Sequence, residues 1–409
     1  MALALNIDSH SLLERLKLLG DLGRKDGILT RLAASDADKQ GRDQLVEWLH
    51  GAGLEVQIDR IGNIFGIWNV ESDIAPLMMG SHIDSVINAG IFDGCYGVLA
   101  GLSVIEALRA SGLQPDRPIV VAAFTNEEGV RFAPDMMGSL VHAGGLDADQ
   151  ALATVGTDGT VLGEELARIG YAGTMEPGSI VPSAFLEAHI EQGPVLEAEG
   201  KLMGAVANLQ GIFWQKITLS GVANHAGTTP THLRVDAGLA AAKIITFLRK
   251  LTDRSNSVAT VGTIRFGPNA INVIPDFAEL TVDLRDPDKA VWETRQRDLD
   301  SFLQELEKSD GVRIRTEQLA RFEPVVFDEG LVTMIEDSAK ARQLSCRRMT
   351  SGAGHDAQMM SRLCPTAMIF VPSRAGISHN PLEHTEEASL IAGAQILLDT
   401  ARKIVGSEG

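Results

Sequence analysis

What most constrains this chain is a series of short, continuously apolar runs, each giving way to residues capable of chemistry. Pro118-Ile119-Val120-Val121-Ala122-Ala123-Phe124 carries β-branched residues and no polar interruption, the pattern of a strand buried on both faces. Ala75-Pro76-Leu77-Met78-Met79 reads as another strand running into the protein. An Ala/Leu-rich helical stretch from Gly97 to Ser111 separates them, and Leu54 to Asp59 and Ile64 to Asn69 read as strands ahead of them. Residues 9 to 53 read helical, with Leu12, Leu13, Leu16 and Leu19 at helical spacing and a second such stretch from Gln44 to His50. Alternating strands and helices predict an α/β fold with a mixed, mostly parallel sheet covered on both faces.

The pattern changes near Gly211. Trp214 to Ser220 alternates like a half-exposed strand, and a helix follows from Asp236 to Leu251. Strand-like runs at Ser257 to Arg265 and Ala278 to Arg285 come next, then a polar helix from Lys289 to Lys308 and a run from Val312 to Thr316. The order β-α-β-β-α-β is a split βαβ, an α+β unit with one open sheet face. From Glu329 the α/β style returns, with a helix from Leu331 to Gln343, a strand from Thr366 to Val371 and a helix from Ala388 to Val405. Residues 1–210 and 328–409 are therefore expected to form one discontinuous domain, with 211–327 inserted into it.

A chain of 409 residues is long enough for two cores. Its net charge of -18 argues against nucleic-acid binding, which needs a basic footprint. No apolar run approaches the ~20 residues that span a bilayer. The first residues, Met1 to Asp8, lack the basic and apolar regions of a signal peptide. Cys95, Cys346 and Cys364 form no CxxC pair, and a cytoplasmic location is expected.

The chemistry gathers where strands end. Gly80-Ser81-His82-Ile83-Asp84 closes the Leu77 run, and a glycine-bearing loop then brings in Asp93, flanked by Gly90 and Gly94. Imidazole with carboxylate is a donor set that suits zinc, and Asp84 stands where it can steady the His82 ring. Glu127 and Glu128 follow the Phe124 strand directly; adjacent carboxylates there are costly unless paired, and one can bind metal while the other moves protons. His189 lies in Glu187-Ala188-His189-Ile190-Glu191-Gln192-Gly193-Pro194. His225 stands in a turn-rich loop, Gly221 to Pro230, while His355 and His379 sit in loops of small residues. Together these supply three histidines, an aspartate and a glutamate for two metals, with Asp93 the natural bridge. A water shared by two metals ionises near neutral pH and can attack a carbonyl.

Eight motifs in order, GSHIDSV, FDGCYGV, TNEEGVRF, EAHIEQGPVLE, NHAGTTP, AINVIPDFAELTVDLRDP, SGAGHDA and GISHNP, resemble those of the hydantoinase/carbamoylase amidases, within the superfamily of dinuclear zinc peptidases and aminoacylases. The resemblance covers nearly the whole chain. It implies two divalent cations (zinc, or manganese, cobalt or nickel), one held by His82, Asp93 and His189, the other by Asp93, Glu128 and His379. It implies Glu127 as general acid/base and Asp84 as the carboxylate that orients His82. Asn272 and Arg285 resemble the pair that holds a substrate carboxylate, and Gln192 a contact near the scissile group. His225 resembles an oxyanion-stabilising histidine that reaches its site from the partner subunit of a homodimer formed through the inserted domain, which also serves as a lid. His355 and Asp356 match a substrate-facing loop.

Within that superfamily, peptidase-like members tend to follow the bridging aspartate with Met-Lys, where this chain has Gly94-Cys95-Tyr96-Gly97. Allantoate-type members often show Gly-Gln where this chain has Gly211-Ile212. The expected reaction is hydrolysis of the ureido C–N bond of an N-carbamoyl-L-amino acid. The alternatives are an allantoate or ureidoglycolate amidohydrolase, a β-ureidopropionase, and a dipeptidase or N-acyl amino acid hydrolase. A binding protein without turnover has no need of Glu127.

Overall fold

The larger sheet has nine strands among the described residues, and those at its centre are apolar enough to be buried on both faces. The structure is a computed structural model that describes residues 5–69, 72–253 and 255–406; Met1 to Ala4 of the leading segment lie outside the described residues. It divides into two compact units, one of residues 1–207 and 327–409, the other of residues 208–326. The chain is mixed α/β, with a sheet that is parallel at its centre and a separate antiparallel sheet.

Four parallel strands make the centre of the larger sheet, in the order Thr366–Val371, Ala184–Ile190, Leu77–His82, Ile119–Phe124. All four are buried along their whole length, as parallel strands between helical layers must be. Antiparallel strands flank them: Ile64–Trp68 and Glu55–Ile58 beyond Phe124, Met203–Leu209 beyond Val371. The helix Cys95–Ala110 is apolar nearly all round and packs on the Leu77–His82 strand; Glu387–Val405 packs against that helix in turn. Because the four central strands run the same way, their carboxyl ends share one edge, the place where open α/β sheets bind ligands.

The structure breaks the helical reading of residues 9 to 53 into two helices, Ser9–Asp21 and Asp36–Gly51. Between them Gly23, Asp26 and Gly27 adopt positive φ, which ends the first helix and forms a two-residue ribbon, Arg24–Lys25 with Ile28–Leu29. Ser35 then caps the second helix by accepting the Asp38 N–H.

In the second unit the strand order is Val258–Gly267, Phe277–Asp286, Gly211–Ser220, Arg313–Phe322, with every neighbour antiparallel. Phe277–Asp286 alternates buried and half-buried residues without a break, so one face is core and the other open. Ile217, Leu219, Leu280, Val282 and Leu284 supply that core with Trp292 and the apolar stripes of the helices Ala237–Thr252 and Lys289–Asp310. Asp236 and Asp288 cap those helices through the Leu239 and Val291 N–H groups. The last strand runs to Phe322, well past Thr316, because its exposed edge residues, Arg-Thr-Glu-Gln among them, pair through the backbone and show no apolar signal.

Candidate metal centre

His82 ends its strand with the ring buried, and its Nδ1–H donates to the Asp84 carbonyl oxygen at 3.0 Å. Burial holds the imidazole down at about 4, so the ring is neutral and its Nε2 lone pair is free to ligate. That nitrogen faces Glu127 Oε2 at 3.4 Å and Asp93 Oδ1 at 3.8 Å. His189, near the end of the next strand, places Nδ1 2.9 Å from the Ile190 carbonyl and Nε2 3.3 Å from Asp93 Oδ1. Tying one ring nitrogen to a carbonyl is how ligating histidines are oriented. Burial lowers the His189 ring, but Asp93 more than offsets it and lifts the ring to about 9.

Asp93 is the hinge of the site. Its Oδ1 faces His82 and His189, whereas its Oδ2 lies 3.3 Å from His379 Nε2. Burial raises this carboxyl, yet hydrogen bonds from His189 and His379 hold it well below the carboxylate range. Gly94 follows with φ +64, and a Cβ there would collide with the His82 ring. Only glycine lets the chain turn into the next helix so close to that imidazole.

Asn126, at φ +57, turns the chain beyond Phe124, and the two glutamates separate. Glu127 goes toward His82; Glu128 Oε2 lies 3.5 Å from His379 Nε2. Asp84 secures both by accepting the Glu127 N–H at 3.2 Å and the Glu128 N–H at 3.3 Å. Its carboxylate is 3.8 Å from His82 Nδ1, so the hydrogen bond that fixes the ring comes from its backbone carbonyl. Burial, with Asp38 nearby, pushes Asp84 up to about 7. Burial and the facing carboxylates of Asp356, Glu128, Asp93 and Asp84 drive Glu127 well above the ordinary range.

His82, Asp93 and His189 can close on one ion, and Asp93, Glu128 and His379 on a second: within each group the donor atoms lie within 4.8 Å of one another. The donor chemistry fits divalent cations. The oxygen Oε1 of Glu128 is buried without a hydrogen-bond partner, and so is Oε1 of Gln192. Crowded buried carboxylates with an unsatisfied oxygen call for positive charge.

Gln192, at φ +57, sets its Nε2 3.0 Å from Asp93 Oδ2 and 3.3 Å from His379 Nε2. His355 is buried, its Nε2 3.1 Å from Ser351 Oγ and its ring 4.5 Å from that of His189. It packs on the back of a candidate ligand, and burial drives its ring well below the usual imidazole range. Sequence reasoning missed Glu187, which lies in the same strand as His189 and accepts from Ser81 Oγ at 2.6 Å and the Ala357 N–H at 2.7 Å. An acidic residue inside a seven-residue buried run was the available signal.

His225, Asn272 and Arg285 belong to the second unit. His225 bridges to Val273, and the Ala226 N–H donates to the Asn272 carbonyl at 2.9 Å, so these two segments are neighbours. The Gly227 and Thr228 N–H groups donate to His225 Nδ1 at 3.0 and 3.3 Å. An accepting Nδ1 leaves the proton on Nε2, which makes the outer nitrogen a donor. Arg285 forks onto Asp283 at 2.8 and 3.0 Å and pairs in register with Ile212.

A family model for peptidase family M20/M25/M40 matches residues 78–403. The chain belongs to that family. It is similar to an N-carbamoyl-L-amino-acid amidohydrolase of Rhizobium meliloti, 38% identical over 370 residues that cover 90% of this chain and 89% of that one. An allantoate amidohydrolase of Bacillus subtilis (strain 168) is 33% identical over 404 residues, 97% of each chain. Among solved structures, an amidase of the hydantoinase/carbamoylase family from Burkholderia multivorans matches with a TM-score of 0.95 and 39% identity, covering 99% of this chain and 100% of that one. This M20 chain is therefore a hydantoinase/carbamoylase-type member and a hydrolase of C–N bonds.

Proposed function

We propose that the protein hydrolyses the ureido C–N bond of N-carbamoyl-L-amino acids, taking one water per substrate and releasing the amino acid, ammonia and carbon dioxide. The observation that carries the reading is Asp93, whose two carboxylate oxygens face different histidines, as a carboxylate shared by two cations must. Zinc is the proposed occupant; manganese, cobalt and nickel accept the same mixed oxygen and nitrogen donors. Bound there, the cations supply a water of lowered pKa and polarise the substrate carbonyl.

The chain's own groups do the rest. Glu127, raised by burial and like charge, is suited to take a proton from water and return it to the leaving nitrogen. Asp84 holds its backbone in place. Gln192 is proposed to contact the scissile group. His225, as the Nε2–H tautomer, is proposed to donate to the developing oxyanion. Asn272 and Arg285 are proposed to hold the substrate carboxylate, with Asp283 orienting the guanidinium. His355 is proposed to act through the His189 ring it packs against. The inserted unit is proposed to pair two subunits, and a monomer of full activity in sedimentation would refute that. Among the described residues no helix is long and apolar enough to cross a membrane; a cytoplasmic location is part of the proposal.

The relative named for allantoate keeps a second substrate in view. Ile212, the cross-strand partner of Arg285, is buried and apolar, which favours a substrate with a single ureido group: a second one would leave polar atoms unpaired there. The test is metal analysis of purified protein, followed by ammonia release from N-carbamoyl-L-amino acids, N-carbamoyl-β-alanine, allantoate, ureidoglycolate, dipeptides and N-acetyl amino acids. N-carbamoyl-L-amino acids should give the highest kcat/KM. Cleavage of dipeptides with no ammonia from any ureido acid would overturn the reading.

A further inference from the structure

Glu383 lies four residues beyond His379, in a loop with no assigned task. The chain doubles back there, since the Glu383 N–H donates to the Asn380 carbonyl at 2.9 Å and the Leu382 N–H to Asn380 Oδ1 at 2.9 Å. The side chain is thereby turned inward and buried. Its Oε1 accepts the Phe92 N–H at 3.0 Å and the Asp93 N–H at 3.3 Å; its Oε2 accepts from Ser378 Oγ at 2.9 Å. One carboxylate therefore ties the loop that carries Asp93 to the loop that carries His379.

Ser378 sharpens the point. Its hydroxyl stands 2.9 Å from Glu383 Oε2 and 3.3 Å from Asp93 Oδ2, but it has one proton to give. While Glu383 takes that proton, Asp93 Oδ2 keeps a lone pair for a cation. Gly90 makes the approach possible, because a Cβ at that position would collide with the Glu383 side chain. His379 itself sits at φ +53, a strained conformation for a residue with a side chain, and such strain persists where neighbours fix the loop.

We propose that Glu383 is a positioning residue that sets the second cation site, the one made by Asp93, Glu128 and His379, by holding its two loops in register and by drawing the Ser378 proton away from Asp93. It touches neither substrate nor cation and acts through Asp93 and His379. This rests on the two-cation reading above.

The test titrates metal-free protein with zinc against a chromophoric chelator, with the melting temperature followed in parallel. Glu383→Ala is expected to keep one zinc at wild-type affinity and weaken the other about 10- to 100-fold, the usual cost of removing a group that orients a ligand. Glu383→Gln keeps an oxygen for the Phe92 and Asp93 amides but turns an N–H donor toward Ser378, so it should recover only the part of the loss that comes from loop register. Gly90→Ala should weaken the same site by pushing Glu383 away. If Glu383→Ala does not fold, Glu383→Asp, shorter by one methylene, takes its place with the same expectation. Wild-type affinity at both sites in the variant overturns the proposal. So does parallel weakening of both sites with a falling melting temperature, which marks a general structural role. A wild type that takes up no zinc sinks the two-cation reading and this proposal together; two zincs in the wild type and an indifferent variant sink only the role of Glu383.

Discussion

Replacing Glu127 by glutamine removes a proton carrier while leaving the shape of a buried side chain unchanged. Burial and the carboxylates of Asp356, Glu128, Asp93 and Asp84 already push Glu127 well above the carboxylate range, so the fold accommodates it readily in a neutral form. The amide mimics that form, and folding should barely notice it: a change under about 1 kcal/mol shifts the melting temperature by no more than about 2–4 °C. Catalysis should notice it strongly. A positioned general acid/base contributes about 10²- to 10⁴-fold, which is about 3–5 kcal/mol of barrier. The assay is steady-state ammonia release from an N-carbamoyl-L-amino acid, with metal content measured on the same preparation. The expected result is a fall in kcat of at least ~10²-fold, KM within a few-fold, and two metals per chain. A kcat within ten-fold of wild type would refute the proton-transfer role. Loss of one metal would show that Glu127 is a ligand and that its place opposite His82 had been misread.

The remaining expectations follow from the same geometry. His189→Ala and His379→Ala should each lose one bound metal and Asp93→Ala both, by mass spectrometry of dialysed protein; equal losses in all three would contradict a bridging Asp93. Asp59 is a fully buried carboxyl that burial raises from 3.8 to about 7 despite hydrogen bonds from Ile61 and Asn63. The folded state therefore holds a proton there that the unfolded state releases, and the stability from this group, complete below about pH 4, is lost as pH rises through 7. Asp59→Asn should cost ~1–3 kcal/mol near pH 4–5, and that gap should narrow toward pH 7.5 in urea unfolding, because only the wild type declines over this range; parallel curves would refute this. Leu280→Ala should destabilise the inserted unit by about 2–5 kcal/mol without altering metal content, and a loss of metal in the folded variant would contradict the separateness of its core.

Much of the fold was legible because its signals are local. The Val120-Val121 run became the strand Ile119–Phe124, and Thr366–Val371 fell where its apolar residues placed it. The order of strands and helices from Trp214 onward was enough to name a split βαβ arrangement. The strand Ala184–Ile190 was not legible: Glu187 and His189 interrupt its apolar run, and they are tolerated only because Ser81, the Ala357 amide and Asp93 satisfy them from elsewhere in the chain. Met203–Leu209 and Cys346–Ser351 were missed too, since small or polar residues there leave little β signal.

The site divides in the same way. Residue type and position brought forward His82, Asp93, Glu127 and Glu128 together with His189, His225, His355 and His379, and the family resemblance chose the expected ligands among those histidines. Sequence could not say which oxygen of Asp93 faces which histidine, that the Asp84 carboxylate holds the two glutamate amides while its carbonyl holds His82, or that Glu383 spans two loops nearly three hundred residues apart in the chain. Those are matters of direction and distance. Four parallel strands with their carboxyl ends on one edge gather segments that the sequence keeps far apart, and only that gathering fixes which donor atoms meet. The chain by itself determined the chemical inventory and the alternation that buries it. The tertiary structure decided the pairing, because hydrogen-bond and ligand geometry act over a few ångströms in space, whatever the separation in sequence.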